Sequence, residues 1–409
     1  MIQLREYQQR ISSEAAELLR KYRICYLAME CRTGKTLTAY SAADAYGAKS
    51  VLIVTKLKAF ASVRNDHALL QPHFTLDVVN YESAHKMDGK KYDLIILDEA
   101  HSLGSFPKPS KRAKAIRELC NMKPIIYLSG TPSPESYSQL YHQFWVSSFS
   151  PWRLFSTFYK WAKVFVNVKP KRVNGFAIND YSDANKAKID ATAKHLFIDY
   201  SQEDAGFDAN IVERTLTVPM TAITESLVAT LQRDRVAWYR ESAILGDTPA
   251  KLMSKLHQLS SGSVIGEDGE HITIDFSKAQ YIRSYFAGQK IAIFYVYQSE
   301  ADLLHEVFPD WTDSPEEFQR SGISKVFICQ VRRAREGVRL DTADALIFYN
   351  LEYSFLSYEQ GRNRLVSKER VAPANVYFVV SDCGIESEIL EAVHNKEDYT
   401  YQYYKSKRR

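Results

Sequence analysis

The 409-residue chain has few of the residues that build stapled, disordered or membrane-spanning proteins. Only 16 glycines and 13 prolines occur, while 45% of the residues are apolar and 25% are charged, which is a globular composition. No apolar run approaches 18 residues, and the first ten residues lack an apolar signal region. The five cysteines are scattered and form no C-x-x-C pair, which argues against a zinc site or a disulfide framework. We therefore expect a cytoplasmic protein with reduced thiols and no membrane partner.

The net charge of +4 is unevenly distributed along the chain. Residues 1–200 hold 29 Lys and Arg against 18 Asp and Glu, a net charge of +11. The remaining residues hold 24 basic and 31 acidic side chains, a net charge of −7. A basic half is consistent with a polyanionic partner, although an incidental surface imbalance is the simpler explanation of the charge count alone.

Short apolar segments alternate with helical segments, which predicts an α/β fold with parallel sheets covered on both faces. A helix is predicted over 37–46 and ends at Gly47. Strands are predicted at 24–29, 51–55, 76–80, 94–97 and 124–128, and again at 212–218, 291–296, 325–329, 345–349 and 375–380. The pattern divides the chain into two domains, residues 1–200 and 201–409.

Aromatic side chains crowd the stretch from about residue 141 to residue 200, with basic residues between them. We interpret it as a helical extension and linker of the first domain. Interleaved aromatic and basic residues could stack on nucleic-acid bases. Packing of the aromatic rings against the neighbouring domain is the better interpretation.

The tripeptide Gly34-Lys35-Thr36 lies at a predicted strand-to-helix junction, where backbone N–H groups and the helix dipole favour phosphate. Lys35 would pair with the β- and γ-phosphates, and the Thr36 hydroxyl would bind Mg²⁺. The general phosphate-loop pattern has glycine at the position of Met29, so this loop departs from it. The tripeptide alone is weak evidence because it arises often by chance.

A second signal follows 63 residues after Lys35, where an apolar strand ends in Asp98-Glu99-Ala100-His101. A carboxylate at the carboxyl end of a parallel strand lies at the sheet edge where ligands bind. Asp98 would hold Mg²⁺, and Glu99 would orient or deprotonate the water that attacks the γ-phosphate. The two signals together predict ATP and Mg²⁺ as cofactors, whereas the tetrapeptide alone could be a solvated loop.

These motifs resemble those of the superfamily-two DEAH-type helicases and translocases, and the resemblance extends along nearly the whole chain. The matching segments of the first half are Leu4-x-x-Tyr7-Gln8, residues 29–36, 51–56 and 80–82, and Ser129-Gly130-Thr131-Pro132. The resemblance implies two RecA-like lobes, each with a parallel sheet flanked by helices, and nucleotide in the cleft between them. It also implies that nucleic acid is the partner.

The resemblance assigns a role to each matching residue of the first half. The implied nucleotide-binding residues are Gln8, which would read adenine, and Glu30, Arg32, Thr33, Gly34, Lys35 and Thr36. Those implied to contact nucleic acid are Thr55, Lys56 and Tyr81. Those implied to couple hydrolysis to nucleic-acid contact are His101, Ser129 and Thr131.

The second half matches the same family less closely. Residues 333–340 resemble its glycine-centred fifth motif, which implies that Gly337 binds nucleotide and that Arg333 and Arg335 contact nucleic acid. Residues 358–364 resemble its arginine-finger motif with compressed spacing, so either Arg362 or Arg364 could be the main catalytic finger. Such an arginine stabilises the charge that develops on the transferred phosphate.

The sequence therefore predicts an ATP-driven motor, either a DNA helicase or a double-stranded DNA translocase. Glu30 and the Leu256–Gly262 segment are similar to the Swi/Snf-type branch and to compact phage proteins, which favours DNA over RNA and, for a phage protein, the bacterial host cytoplasm. Targeting would come from a protein partner or from residues 141–200. Two alternatives stay open, a nucleic-acid-binding ATPase switch or adaptor and an RNA helicase.

Overall fold

The computed structural model describes residues 2–173, 176–206, 211–334, 338–367, 370, 372–382 and 385–395. The chain forms two compact units, residues 1–206 and 207–409. Each unit contains one six-stranded sheet in which all neighbouring strands are parallel. The predicted α/β class with parallel sheets is thus confirmed.

The first unit contains helices on both sides of its main sheet. Its strands are β1 (Ile24–Met29), β2 (Ser50–Thr55), β3 (Thr75–Asn80), β4 (Leu94–Asp98), β5 (Ile125–Leu128), β6 (Lys169–Val173), β7 (Phe176–Asp180) and β8 (Phe197–Tyr200). Its helices are α1 (Glu6–Tyr22), α2 (Lys35–Tyr46), α3 (Phe60–Leu70), α4 (Lys111–Leu119), α5 (Gln139–Trp145), α6 (Phe158–Phe165) and α7 (Lys186–Ala193). The sheet order is β3-β2-β4-β5-β1-β8, and β6 and β7 form a separate antiparallel hairpin.

The central strands of this sheet are buried along their length, as expected when helices cover both faces of a parallel sheet. Every residue of β1 is buried, and so is every residue of β5. Helix α2 ends at Gly47, whose φ of 92° requires the left-handed region that glycine enters without strain. The predicted strands of the first half therefore match β1 to β5 within one residue at each end.

The aromatic-rich stretch contains the expected helices and also three strands that its sequence pattern does not predict. Strand β8 pairs with β1 and so extends the main sheet, while β6 and β7 pair only with each other. The rings belong to the core of the first unit. Trp152 and Trp161 are buried with ring centroids 5.3 Å apart, and Phe144 packs on Tyr26 of β1. These rings therefore pack within the first unit itself, and their predicted packing against the neighbouring domain is not what these contacts show.

The second unit repeats the layered arrangement with additional short hairpins. Its strands are β9 (Ile211–Val218), β10 (Val236–Tyr239), β11 (Ser242–Leu245), β12 (Ser263–Ile265), β13 (His271–Thr273), β14 (Ile291–Tyr295), β15 (Trp311–Thr312), β16 (Val326–Gln330), β17 (Ala345–Phe348) and β18 (Ala374–Ser381). Its helices are α8 (Ala222–Asp234), α9 (Pro249–Leu259), α10 (Ser277–Tyr285), α11 (Gln298–Val307), α12 (Pro315–Arg320), α13 (Val331–Ala334), α14 (Phe355–Arg362) and α15 (Ile385–His394). The sheet order is β15-β16-β14-β17-β18-β9.

No helix in the described part of the chain combines the length and the apolar character needed to cross a membrane.

Candidate functional site

The strand order of the first unit brings three sequence motifs to one edge of the sheet. Strand β5 lies between β1 and β4, and Leu128 of β5 pairs with Leu27 on one side and with Asp98 on the other. Because the carboxyl ends of parallel strands meet at the same edge, the loops that follow β1, β4 and β5 are neighbours. This edge is the candidate site.

The loop 30–34 connects β1 to the amino end of α2, where backbone N–H groups and the helix dipole favour an anion. Gly34 has a φ of 80°, which favours glycine, and a Cβ there would lie 2.3 Å from Nε2 of Gln8 and displace that side chain. The Lys35 ammonium is directed back into the loop and donates to the Glu30 carbonyl oxygen at 3.0 Å. A phosphate bound by the N–H groups at the amino end of the helix would therefore also lie beside the Lys35 ammonium.

Helix α1 supports the loop 30–34 from one side. The Tyr7 hydroxyl donates to the Thr33 carbonyl oxygen at 2.9 Å, and Nε2 of Gln8 lies 3.4 Å from the Gly34 carbonyl oxygen. The other amide atom of Gln8, Oε1, accepts from the backbone N–H of Arg5. Gln8 is thus a buried support of the loop, and its reading of adenine stays a prediction.

Gln202, which the sequence motifs do not indicate, supports the loop from the other side. Its backbone N–H donates to Oε2 of Glu30 at 2.8 Å, and its side-chain amide donates to the Cys31 carbonyl oxygen at 2.9 Å. The Glu30 N–H in turn donates to the Tyr200 carbonyl oxygen at the end of β8. No local sequence signal identifies Gln202, because its hydrogen-bond partners lie about 170 residues earlier in the chain. The short strand β8 that precedes it also has no clear sequence pattern.

The Asp98 carboxylate at the end of β4 is half-buried and firmly held. The Thr55 hydroxyl donates to its Oδ2 at 2.6 Å, and the Glu99 N–H donates to its Oδ1 at 3.1 Å. Burial, followed by the negative charge of Glu99, raises the pKa of Asp98 to about 6. The Thr55 bond and the positive charge of Lys35 act in the opposite direction. The site thus concentrates negative charge that a cation would relieve.

The oxygen donors at this edge suit Mg²⁺. They are too few for a metal ion that is held by protein ligands alone. Asp98 supplies a carboxylate, and the half-buried Thr36 in the first turn of α2 supplies a hydroxyl. Across the described ranges no group of three or more His, Cys, Asp or Glu is placed to hold a metal ion. Mg²⁺ typically binds through one or two protein ligands, water and substrate phosphates, so this donor set suffices.

A chain of polar contacts connects the loop after β4 to the loop after β5. His101 Nδ1 lies 3.3 Å from Oε2 of Glu99 and 2.9 Å from Oγ of Ser129. The Ser129 oxygen also accepts from the Thr131 N–H at 3.1 Å. Glu99 itself has a φ of 51°, a left-handed conformation that is uncommon for a residue other than glycine. The contacts of His101 therefore fix where the Glu99 carboxylate points.

Two residues predicted to contact nucleic acid are internal supports of this site. Thr55 is 1% exposed and bonds to Asp98, and Tyr81 is 3% exposed and donates its hydroxyl proton to the Asp98 carbonyl oxygen at 2.6 Å. Lys56, the next residue after Thr55, is half-buried. Nucleic-acid contact by these side chains stays a prediction from the resemblance.

The site residues predicted in the second half are described within the second unit alone. Arg333 forms an ion pair with Asp313 at 3.0 Å and is mostly exposed, whereas Arg335 and Gly337 lie outside the described residues. Arg362, the last residue of α14, forms ion pairs with Glu213 at 3.1 Å and Glu359 at 2.9 Å. Arg364 is buried and its Nε donates to the Gln360 carbonyl oxygen. The choice between the two finger candidates stays open.

No protein-family model matches the chain, and no curated protein is significantly similar to it. The family resemblance is therefore carried by the motifs themselves.

Proposed function

We propose that the protein is a nucleic-acid-dependent ATPase, a motor that moves along or remodels DNA as a helicase or double-stranded DNA translocase. The observation that supports it most is the grouping of Lys35, Asp98, Glu99 and Ser129 at the carboxyl edge of one parallel sheet, with β5 between the lysine-bearing and carboxylate-bearing loops. The basic first half and the order of the motifs support a polyanionic partner.

The residues of the first unit would divide the chemistry among them. The amino end of α2 and Lys35 would bind the phosphates, with the lysine exchanging the Glu30 carbonyl for a phosphate oxygen. Asp98 and Thr36 would hold Mg²⁺, which supplies charge neutralisation at the transferred phosphate. Glu99, oriented by His101, would align the attacking water and accept its proton.

The second unit would complete the reaction by supplying an arginine. In this proposal nucleotide binds in the cleft between two RecA-like lobes, and Arg362 or Arg364 stabilises the negative charge on the γ-phosphate. Arg362 would first have to exchange its ion pairs with Glu213 and Glu359.

Arginine fingers contribute about 10³–10⁵ in rate, so Arg362→Ala and Arg364→Ala should lower turnover to different extents. Unchanged turnover in both would refute the finger assignment.

The test is steady-state ATP hydrolysis without polynucleotide and then with duplex DNA, single-stranded DNA or RNA at one fixed salt concentration. Strong stimulation by DNA is the expected result. Stimulation by RNA alone would identify an RNA-dependent enzyme instead. ATP binding without stimulation by any polymer would refute the motor and favour the switch or adaptor.

Variants of the site test the assigned chemistry. Lys35→Ala and Glu99→Gln should each abolish turnover, and Glu99→Gln should still bind ATP because its phosphate contacts are intact. Lys49→Ala is the matched control, since this exposed lysine precedes β2 at the opposite edge of the sheet. Near-normal hydrolysis by Glu99→Gln would show that another group positions the water.

A further inference from the structure

The exposed side of helix α6 is basic and carries no carboxylate. Between Glu135 and Asp180 the chain contains six Lys or Arg and no Asp or Glu. Helix α6 buries Phe158, Trp161 and Phe165 in the core and exposes Lys160 and Lys163, which are three residues apart and so lie on one face. The helix therefore presents its lysines to solvent.

A third lysine joins this surface from helix α7. The Nζ atom of Lys188 donates to the carbonyl oxygen of Val164, near the end of α6, at 3.2 Å. We define Lys160, Lys163 and Lys188 as the α6 surface. Among the described residues no carboxylate lies within ion-pair distance of these three ammonium groups.

Two acidic side chains that lie close to Lys188 in sequence pair with other lysines. Asp183 pairs with Lys169 at 2.7 Å, and Asp190 pairs with Lys186 one helical turn away. The α6 surface thus carries three exposed positive charges with no carboxylate paired to them among the described residues, which attracts a polyanion. Exposed lysines are point charges suited to phosphate groups.

The α6 surface is connected to the loop that follows β5. The ring of Tyr159, the exposed aromatic residue of α6, meets the ring of Tyr181 edge-on with centroids 5.9 Å apart. The Tyr181 carbonyl oxygen accepts from the Ser138 hydroxyl at 2.5 Å, and the Ser182 carbonyl oxygen accepts from the Ser136 hydroxyl at 2.6 Å. Both serines follow the Ser129–Pro132 element within a few residues.

We propose that the α6 surface binds the sugar–phosphate backbone of the nucleic acid as a sequence-independent contact outside the family motifs. The inference rests on the proposed function, which supplies the polyanion. Its chemistry is backbone neutralisation, because lysines without a fixed fork read charge and not base identity. Such a contact adds affinity and salt dependence and leaves base preference unchanged.

The test is binding of a fluorescently labelled DNA duplex, measured by anisotropy without nucleotide at 50 to about 200 mM salt. The full-length chain is compared with the triple variant Lys160→Gln, Lys163→Gln and Lys188→Gln. Each lost phosphate contact removes about 0.9 from the slope of log K against log salt, so the slope should fall by about 2 to 3. The triple Lys→Arg variant should keep the wild-type slope because it keeps the charge.

The matched control removes the same charge from the opposite edge of the sheet. Lys21, Lys49 and Lys91 are exposed and precede β1, β2 and β4, and their triple Lys→Gln variant should bind duplex almost as tightly as the wild type. Equal losses in the two triple variants would overturn the proposal, since they would reflect net charge alone. An unchanged slope in the α6 variant would overturn it as well.

Failure of the α6 surface and failure of the proposed function give different results. A wild-type chain that binds no polynucleotide at 50 mM salt refutes the motor and the inference together. A wild-type chain that binds duplex with a salt slope that the α6 variant shares refutes the inference alone. Polymer-free ATP hydrolysis should be the same in the wild type and the α6 variant, which shows that the variant is folded.

Discussion

Replacement of Asp98 by asparagine should stabilise the unliganded protein while abolishing the proposed Mg²⁺-dependent hydrolysis of ATP. The carboxylate lies half-buried beside Glu99, and its pKa is raised from 3.8 to about 6 by burial and then by the Glu99 charge. Asparagine can keep both hydrogen bonds, since its oxygen can accept from the Glu99 N–H and its amide can donate to the Thr55 oxygen. The substitution therefore removes the charge with little loss of bonding.

The magnitude follows from the difference between the folded and unfolded pKa values. Well below pH 4 Asp98 is neutral in both states and has no pH-dependent effect on stability. As the pH rises from about 3 to 6 the unfolded chain releases the proton while the folded chain retains it, so the free energy of unfolding falls. The full loss, about 2 pKa units or about 3 kcal/mol, is reached above pH 6. Asp98→Asn should thus be more stable by about 1–3 kcal/mol at pH 8 and by only about 0.5 kcal/mol at pH 4.

The assay is urea unfolding at pH 4, 6 and 8, followed by tryptophan fluorescence. Trp238→Phe and Trp311→Phe are introduced into both proteins, so that the signal comes from the first unit alone. That unit retains three tryptophans, Trp145, Trp152 and Trp161. Titrating groups far from Asp98 cancel in the difference between variant and parent, and Glu99, which interacts with Asp98, can only contribute in the same pH range. A variant that is no more stable at pH 8, or whose full advantage persists at pH 4, would refute the reasoning.

Two further substitutions test contacts of the candidate site, and a third tests a buried ion pair of the second unit, between Lys278 of α10 and Glu386 of α15. Gln202→Ala should raise the KM for ATP several-fold with a smaller change in kcat, because it releases the loop that would bind phosphate. The control is Gln232→Ala, which replaces an exposed glutamine on α8, and equal KM and kcat values in the two variants would count against this prediction. His101→Ala should keep part of the basal hydrolysis and lose several-fold in polynucleotide stimulation; full stimulation would show that its contact to Ser129 does not couple the loops. Lys278→Met should destabilise the second unit by about 3–5 kcal/mol in urea unfolding, because Glu386 is left as an unpaired charge that is 1% exposed. Lys278→Met with Glu386→Gln should recover most of that loss, and a double variant as unstable as the single one would contradict the cause.

The strands that could be predicted are those that consist of consecutive apolar residues, the pattern of a buried strand. Strand β1 matches its prediction at both ends, and the glycine after α2 marks the end of that helix correctly. Strand β8 is as short as β5, but Asp199 interrupts its apolar residues, so it lacks the continuous apolar run that marks β5; it pairs with the edge of β1 that β5 leaves open. The order of strands in a sheet is likewise a property of non-local pairing and has no local signal.

The candidate site shows the same limit at the level of single side chains. Lys35 and Asp98 could be selected from sequence because Asp98 ends a recognisable strand and Lys35 begins the helix that follows one. The roles of Thr55 and Tyr81 as supports of Asp98 could not, because they depend on which strands are neighbours in the sheet. Resemblance assigns a residue to a motif, whereas its hydrogen-bond partners follow from the packing around it.

The position of β5 between β1 and β4 determines the width of the candidate site. Neighbouring strands lie about 4.8 Å apart, so the carboxyl end of β1, which leads into the loop before Lys35, and that of β4, which carries Asp98, are separated by about 10 Å. If β1 and β4 were adjacent, this separation would be halved. The Lys35 ammonium and the Asp98 carboxylate could then form an ordinary ion pair. The intervening strand acts as a spacer that holds opposite charges apart, and the interval is wide enough for a phosphate group and a hydrated cation to enter between them.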